Sequence, residues 1–272
     1  MKVIEQFKNT PKIESLKRLD KKTFINANKA KTPLVLTEAM KNWEAYSKWN
    51  LAYLSTHYGE QKILANRLSE KGERQHIYLN LEEYINYAYT TDDPNPYYGI
   101  SYMHVSNSLK EEYEEPEYFH CWYKQFNSKD SKIDLSCLYL APKNGYSPMH
   151  QDIWGTSFWN ALFEGKKIWL FYSEDQTEYL YGGSVNPFYP DLEKYPLFSQ
   201  AKATMWLQEP GELIFCPGNV WHTVLALEPC LALSENFINE TDYQNVLHHF
   251  EKHNHPRAYS KMKKIASIHQ YD

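Results

Sequence analysis

Cysteine is scarce in this chain. There are 4 in 272 residues, and no two of Cys121, Cys137, Cys216 and Cys230 stand at CxxC spacing, which excludes a disulfide scaffold and a zinc ribbon. Long apolar runs are missing as well. No stretch reaches the ~18 consecutive apolar residues of a membrane span, and the N-terminal MKVIEQFKNTPKIESLKRLDKK has no apolar segment of signal-peptide length. Positive charge is not in excess. Lys+Arg 29 against Asp+Glu 34 leave a formal charge of -5; this argues against nucleic acid as the main partner, because phosphate binding rests on neutralising Lys and Arg. No Ser/Gly-rich linker, repeat or low-complexity tract divides the sequence. The expectation is a single domain over 1–272, soluble in a reducing cytoplasm and without membrane contact. Aromatics, by contrast, are abundant: 16%, with Tyr 23 and Trp 8. Much of that must line interior or cleft surface, since these rings bring large apolar area and, in Tyr and Trp, a polar handle.

The texture changes near residue 130. Before it the chain is mixed and mostly helical: ESLKRLDKKTFIN (14–26) and NLEEYINYAY (80–89) carry apolar residues on a helical period, and LAYLSTHYG (51–59) reads as a helix stopped by Gly59. Short β-like runs interrupt these at 33–37, 62–68 and 97–105. From Ile133 to Phe237 eight β runs follow one another: IDLSCLYLA, SPMHQDIW, TSFWNALFEG, KKIWLFY, ATMWLQ, GELIFCP, WHTVLAL and CLALSENF. Turn chemistry such as PKNG, EGKK, EPGE and PGN lies between several of them. Many short strands without long intervening helices imply a sandwich or barrel. After Asn239 the pattern returns to helix, with a break at Pro256. The fold class is therefore mainly β with helical flanks: a mixed helical N-terminal region (1–130), a jelly-roll core (131–239) and C-terminal helices (240–272).

The chain has 11 histidines and 34 acidic residues, so one or two HxD or HxE triplets are expected by chance, and two occur, His150-Gln151-Asp152 and His249-Phe250-Glu251. Local structure separates them. In a strand, residues i and i+2 share a face, whereas in a helix they diverge by roughly 200°. His249 and Glu251 fall in a helical tail; His150 and Asp152 fall in a β segment and can converge on one ion. His222, delivered to the start of a strand by a PGN turn, is the candidate third ligand. Two His and one carboxylate with open positions form the facial triad of non-haem Fe(II) oxygenases. The competing reading makes His150 and His222 hydrogen-bonded histidines near a core. His57, His76, His104 and His120 read as such structural histidines, and His248, His249, His253 and His255 as a solvated helix face. An oxygenase using 2-oxoglutarate also needs a cation for the distal carboxylate, and Lys167, after the Gly165 turn, is the candidate. A buried lysine requires a charge partner, which a dicarboxylate supplies; the adjacent Lys166 falls on the opposite strand face. Without an iron site, Lys167 would be an ordinary surface strand residue.

Over about residues 135–240, HQDIWGTSFWNALFEGKKIWLFY and LQEPGELIFCPGNVWHTVLALEPCLALSENF resemble the Jumonji-C (JmjC, cupin-like) Fe(II)/2-oxoglutarate-dependent oxygenases. The resemblance is to their small hydroxylase branch, which contains the Jumonji lysyl hydroxylase/arginine demethylase and the asparaginyl hydroxylase that inhibits hypoxia-inducible factor. GTSFWNAL is similar to the first and SVNPFYPDLEKYPLF to the second. The resemblance implies a double-stranded β-helix with a C-terminal helical pair that often forms a homodimer. It implies His150, Asp152 and His222 as catalytic iron ligands, Lys167 and Ser147 on the distal carboxylate of 2-oxoglutarate, and Asn160 and Asn236 as polar groups of the pocket. Tyr98 would close the cosubstrate site, with Tyr97 as its rival and Ser234 as a further candidate. Trp154, Phe158, Trp159, Trp169 and Trp221 would keep the site dry, strand alternation sending some of them elsewhere. The implied reaction uses O2 to hydroxylate a C–H bond of a protein side chain with release of succinate and CO2. The same chemistry on a small molecule or a modified tRNA base, and a non-catalytic metal-binding cupin module, stand as alternatives.

Overall fold

The computed structural model describes residues 2–69, 72–105, 108–125 and 134–270. The boundary expected near residue 130 and the expected first residue of the β core, Ile133, lie outside the described residues. Before that boundary come α1 (Lys2–Gln6), β1 (Glu14–Leu16), α2 (Lys21–Ala30), β2 (Leu34–Leu36), α3 (Glu44–Lys48) and α4 (Leu51–Tyr58). β3 (Lys62–Leu68), β4 (Arg74–Asn80), α5 (Leu81–Thr90) and β5 (Tyr98–Ser101) complete this region. All eight β runs expected after it are strands. They are β6 (Ser136–Ala141), β7 (Tyr146–His150), β8 (Ser157–Glu164), β9 (Lys167–Tyr172), β10 (Thr204–Gln208), β11 (Leu213–Cys216), β12 (Trp221–Ala226) and β13 (Cys230–Phe237). The tail forms α6 (Tyr243–Lys252) and α7 (Pro256–Ile268). Pro256 opens the second of these, where its missing N–H costs no helical hydrogen bond.

The strands make two sheets, one of nine in the order β1-β2-β11-β8-β13-β6-β5-β3-β4 and one of four in the order β10-β9-β12-β7. Period-2 alternation decides what lies between them. On β9, Trp169 and Phe171 point inward to meet Phe158, Ile214 and Val224. Ile168, Leu170 and Tyr172 point outward beneath Leu180 and Phe188. On β8, Trp159, Ala161 and Phe163 face α2, α4 and α5, packing with Phe24, Leu54 and Tyr84, while Phe158, Asn160 and Leu162 face the other sheet. The large sheet is thus covered by helices on one face and by the small sheet on the other, which is why β8 is buried from Ser157 to Phe163. The result is mainly β with helical flanks, as the sequence implies.

One expected helix is shorter than its periodicity suggests. Residues 14–16 form a strand that pairs in parallel with Leu34–Leu36. The helix begins only at Lys21, where the Asp20 carboxylate caps it by accepting from the Thr23 N–H at 2.9 Å. Five of the nine strands in the large sheet come from before residue 130, so this region extends the sheet as well as covering it. Among the described residues, no helix is long and apolar enough to cross a membrane.

Candidate active site

His150 ends β7 and His222 is the second residue of β12; the two strands are antiparallel and these residues are register partners, with ring centroids 4.2 Å apart. Asp152 lies two residues beyond the end of β7, outside the strand, yet its φ of -71° and ψ of 158° keep the chain extended. The i, i+2 relation of strand geometry therefore carries past the hydrogen-bonded strand, and Asp152 turns to the same side as His150. The candidate ligand atoms of the three side chains all lie within 4.8 Å of one another, the one group of three or more such residues found among the described residues. Asp152 Oδ1 is 3.4 Å from His150 Nε2 and 3.7 Å from His222 Nε2.

Hydrogen bonds around the triad fix which atoms face its centre. His150 Nδ1–H donates to the Pro148 carbonyl at 2.6 Å and His222 Nδ1–H to the Val220 carbonyl at 3.0 Å. A carbonyl can only accept, so in each neutral ring the proton sits on Nδ1 and the Nε2 lone pair is free for a metal. Asn236 Nδ2 donates to Asp152 Oδ2 at 2.8 Å and to Thr156 Oγ1 at 3.0 Å, leaving Asp152 Oδ1 on the side of the histidines. Burial and the neighbouring His150 push His222 down to about 4 against the pull of Asp152, which favours its neutral, ligating form. Burial would lower His150 too, but its hydrogen bond and charge interaction with Asp152 outweigh that and raise it. For Asp152 burial acts upward, and His222, His150 and Asn236 together prevail and lower it.

The triad opens into a small cavity lined in part by Tyr98, Ser147, Asn160, Lys167, Ser234 and Asn236. Phe158, Trp169 and Val224 supply apolar wall. Lys167 is 1% exposed, and among the described residues its ammonium has no carboxylate in ion-pair reach. Burial pushes its pKa down to about 8. Asn160 is likewise buried, and its Oδ1 has no hydrogen-bond partner among the described residues. The buried Lys167 ammonium, which has no carboxylate partner among the described residues, fits an anionic ligand, whereas the orphaned Asn160 Oδ1 is an acceptor and needs a donor. Ser234 spends its hydroxyl on the Trp159 carbonyl at 2.7 Å. Tyr98 lines the cavity with its ring 5.9 Å from that of Tyr139. Tyr97 does not; it packs beneath the Arg67 guanidinium, 4.3 Å from its ring centre.

Ser147 reaches the cavity through an irregularity that no alternation rule supplies. Between β12 and β7, His222 pairs with His150 and Val224 with Ser147, so two steps on β12 match three on β7. This bulge turns Ser147 to the same side as His150; strict alternation would send it outward. Alternation does sort the aromatics. Phe158 and Trp169 wall the cavity, Trp159 joins the helix-facing core and Trp221 the outer face of the small sheet. Trp154 packs between Tyr123 and Phe250. Tyr139 is a cavity residue that the sequence reading missed. Its signal was there in SCLYLA, where Cys137, Tyr139 and Ala141 alternate with Leu138 and Leu140 of the helix-facing core.

Residues 21–243 match the family described as "Cupin-like domain". The chain is 27% identical over 246 residues to the "Lysine-specific demethylase JMJ21" of Arabidopsis thaliana, covering 85% of this chain and 26% of that protein. It is 28% identical over 218 residues to the "2-oxoglutarate and iron-dependent oxygenase JMJD4" of Gallus gallus, covering 73% of this chain and 51% of the relative. To the "Bifunctional arginine demethylase and lysyl-hydroxylase psr-1" of Caenorhabditis elegans it is 22% identical over 261 residues, covering 86% and 64%. The chain thus spans between about a quarter and two thirds of the length of these curated relatives. A family match over most of the chain, two facing sheets and a cavity between them lead to one conclusion: this chain belongs to the cupin-like domain family.

Proposed function

We propose that this chain is an Fe(II)- and 2-oxoglutarate-dependent oxygenase that hydroxylates a C–H bond of a protein side chain. The observation that carries the reading is one cavity holding both a His150/Asp152/His222 group and a buried lysine ammonium that has no ion-pair partner among the described residues. Two imidazole Nε2 atoms and one carboxylate oxygen suit Fe(II) with open positions. A lysine left alone in a buried cavity suits a ligand that brings its own carboxylate. Relatives named for 2-oxoglutarate and iron dependence, and for lysyl hydroxylation and arginine demethylation, support the cosubstrate and the substrate class.

His150, Asp152 and His222 would hold the iron, and Lys167 with Ser147 would hold the distal carboxylate of 2-oxoglutarate. When bound, iron and 2-oxoglutarate supply, with O2, the oxidising chemistry that ends in a hydroxylated C–H bond, succinate and CO2. The chain's own residues orient and enclose. Asn236 keeps Asp152 turned toward the histidines, while Asn160 offers a polar group to the cosubstrate. The Tyr98 phenol, which burial keeps protonated, offers another. Phe158, Trp169 and Val224 exclude water from the polar groups, strengthening their interactions. His150, whose side chain is 43% exposed, and Ile153, 40% exposed, lie at the rim and leave the metal side open to a bulky substrate.

The test is anaerobic titration of the Fe(II)-loaded protein with 2-oxoglutarate. A weak visible charge-transfer band is expected, together with its loss in Asp152→Ala. Iron binding without the band would overturn the oxygenase and favour a metal-binding module. Succinate release stimulated by lysine- or arginine-containing peptides supports the protein substrate; stimulation by small metabolites or tRNA alone would remove it.

A further inference from the structure

Outside the cavity lies a buried polar cluster in which one hydroxyl joins four parts of the chain. Ser157, fully buried at the start of β8, donates its hydroxyl proton to Asp242 Oδ1 at 2.6 Å. It accepts from the Gly218 N–H at 3.0 Å and from Asn28 Nδ2 at 3.2 Å. A hydroxyl has one proton to give and two lone pairs to fill, so all its capacity is used. Asn28 of α2 spends its second amide proton on Thr241 Oγ1 at 3.0 Å. Asn28, Ser157 and Asp242 are each at most 4% exposed.

The cluster sits where the turn bearing Asp152 meets the turn that leads to His222. Residues 151–156 carry Asp152 into β8, and residues 217–220 carry His222 into β12. Gln151 Nε2 donates to the Asn219 carbonyl at 2.6 Å. Gly155 and Gly218 let the two backbones approach: a Cβ on Gly218 would lie 2.0 Å from the Gly155 carbonyl oxygen, and one on Gly155 would lie 2.4 Å from Asn219 Oδ1. Next to this seam, Ser157 takes the Gly218 amide from one turn and follows directly on the other. Its hydroxyl is oriented by Asp242 from the segment leading into α6, an acceptor that turns the lone pairs of Ser157 toward Gly218 and Asn28.

We propose that Ser157, anchored by Asp242 and Asn28, is the positioning residue of the metal centre: it sets the spacing between the turn that aims Asp152 and the turn that aims His222, and so governs metal affinity without touching the metal. This rests on the metal-centre reading above. Loss of the hydroxyl frees the Gly218 amide and leaves the Asp242 carboxylate buried beside an empty site, so the two turns separate or slide. Groups hydrogen-bonded directly to metal ligands are typically worth about 10- to 100-fold in metal affinity, and Ser157, one bond further out, is expected at the lower end of that range.

The experiment is Co(II) titration of the metal-free protein, read by the visible ligand-field spectrum, in wild type, Ser157→Ala, Ser157→Thr and Asp242→Asn, with thermal melts to establish folding. Wild type is expected to bind. Ser157→Ala should bind about 10-fold more weakly with an altered spectrum, Ser157→Thr should recover both, and Asp242→Asn should show a smaller loss of the same kind. If Ser157→Ala does not fold, Asp242→Asn decides alone. Failure of wild type to bind any Co(II) would overturn the metal centre and this proposal with it. Binding by wild type, with unchanged affinity and spectrum in a folded Ser157→Ala or, failing that, in Asp242→Asn, would overturn the positioning role only. A Ser157→Thr no better than Ser157→Ala would also count against the hydroxyl.

Discussion

Lys167 occupies a position that the empty fold does not favour. Its ammonium is buried on the cavity wall with no carboxylate in reach among the described residues, and burial drives its pKa down. A side chain of similar volume without charge removes that penalty. Lys167→Met is therefore expected to raise the melting temperature of the ligand-free protein and to raise the concentration of 2-oxoglutarate needed for half-saturation by about 10- to 100-fold, the worth of one charge-assisted hydrogen bond. Fe(II) binding should stay near wild type, because Lys167 is absent from the ligand group. Equal 2-oxoglutarate titrations for the two proteins would remove Lys167 from the cosubstrate site. At this scale much was legible. His150, Asp152 and Lys167 are separated by strand alternation from Gln151 and Lys166, and alternation is a property of consecutive residues. Ser147 was not legible that way, since the bulge that turns it inward is a matter of pairing between β7 and β12.

At the scale of elements, turns hold the strands that carry the site. The β8–β9 connection relies on Gly165, whose φ of +82° is one that side chains avoid and whose Cβ, if present, would lie 2.1 Å from the Pro229 carbonyl oxygen. Gly165→Ala is expected to destabilise the fold by about 1–3 kcal/mol through backbone strain and that clash, and to weaken 2-oxoglutarate binding because Lys167 follows two residues later. Chemical denaturation of the metal-free protein measures the first; unchanged stability would show that the turn can be rebuilt without glycine. Most strands and most helices were legible from periodicity and turn residues, though β4 (Arg74–Asn80) was not among them. The segment 14–16 was not: its spacing suits a helix, but pairing with β2 outweighs a weak local preference.

For the whole molecule, stability should depend on pH through His104. This histidine is wholly buried, 2.8 Å from Ser136 Oγ. Burial, against the charge of Asp134 and aided by Lys110 and Lys124, takes its pKa down to about 4 from an ordinary 6.5. A lowered histidine makes the unfolded chain the better proton acceptor. The fold therefore keeps this contribution above pH 6.5 and loses it progressively as pH falls toward 4, by about 2 kcal/mol at pH 5. Between pH 7 and 5 the unfolding midpoint should fall further in wild type than in His104→Gln; parallel curves would show that His104 is not the group responsible. What the sequence by itself determined were features written in contiguous residues: eight strands, the helical tail broken at Pro256, an HxD on extended chain, a histidine after a PGN turn and a lysine after a glycine turn. Each follows from local backbone geometry and side-chain period. The tertiary structure alone decided that Tyr98 rather than Tyr97 lines the cavity and that Tyr139 joins it. It also decided that Asn28, Ser157 and Asp242 meet across 129 and 85 residues of chain. Those outcomes depend on which strand pairs with which and on where buried polar groups find partners, and neither is encoded within any one stretch of the chain.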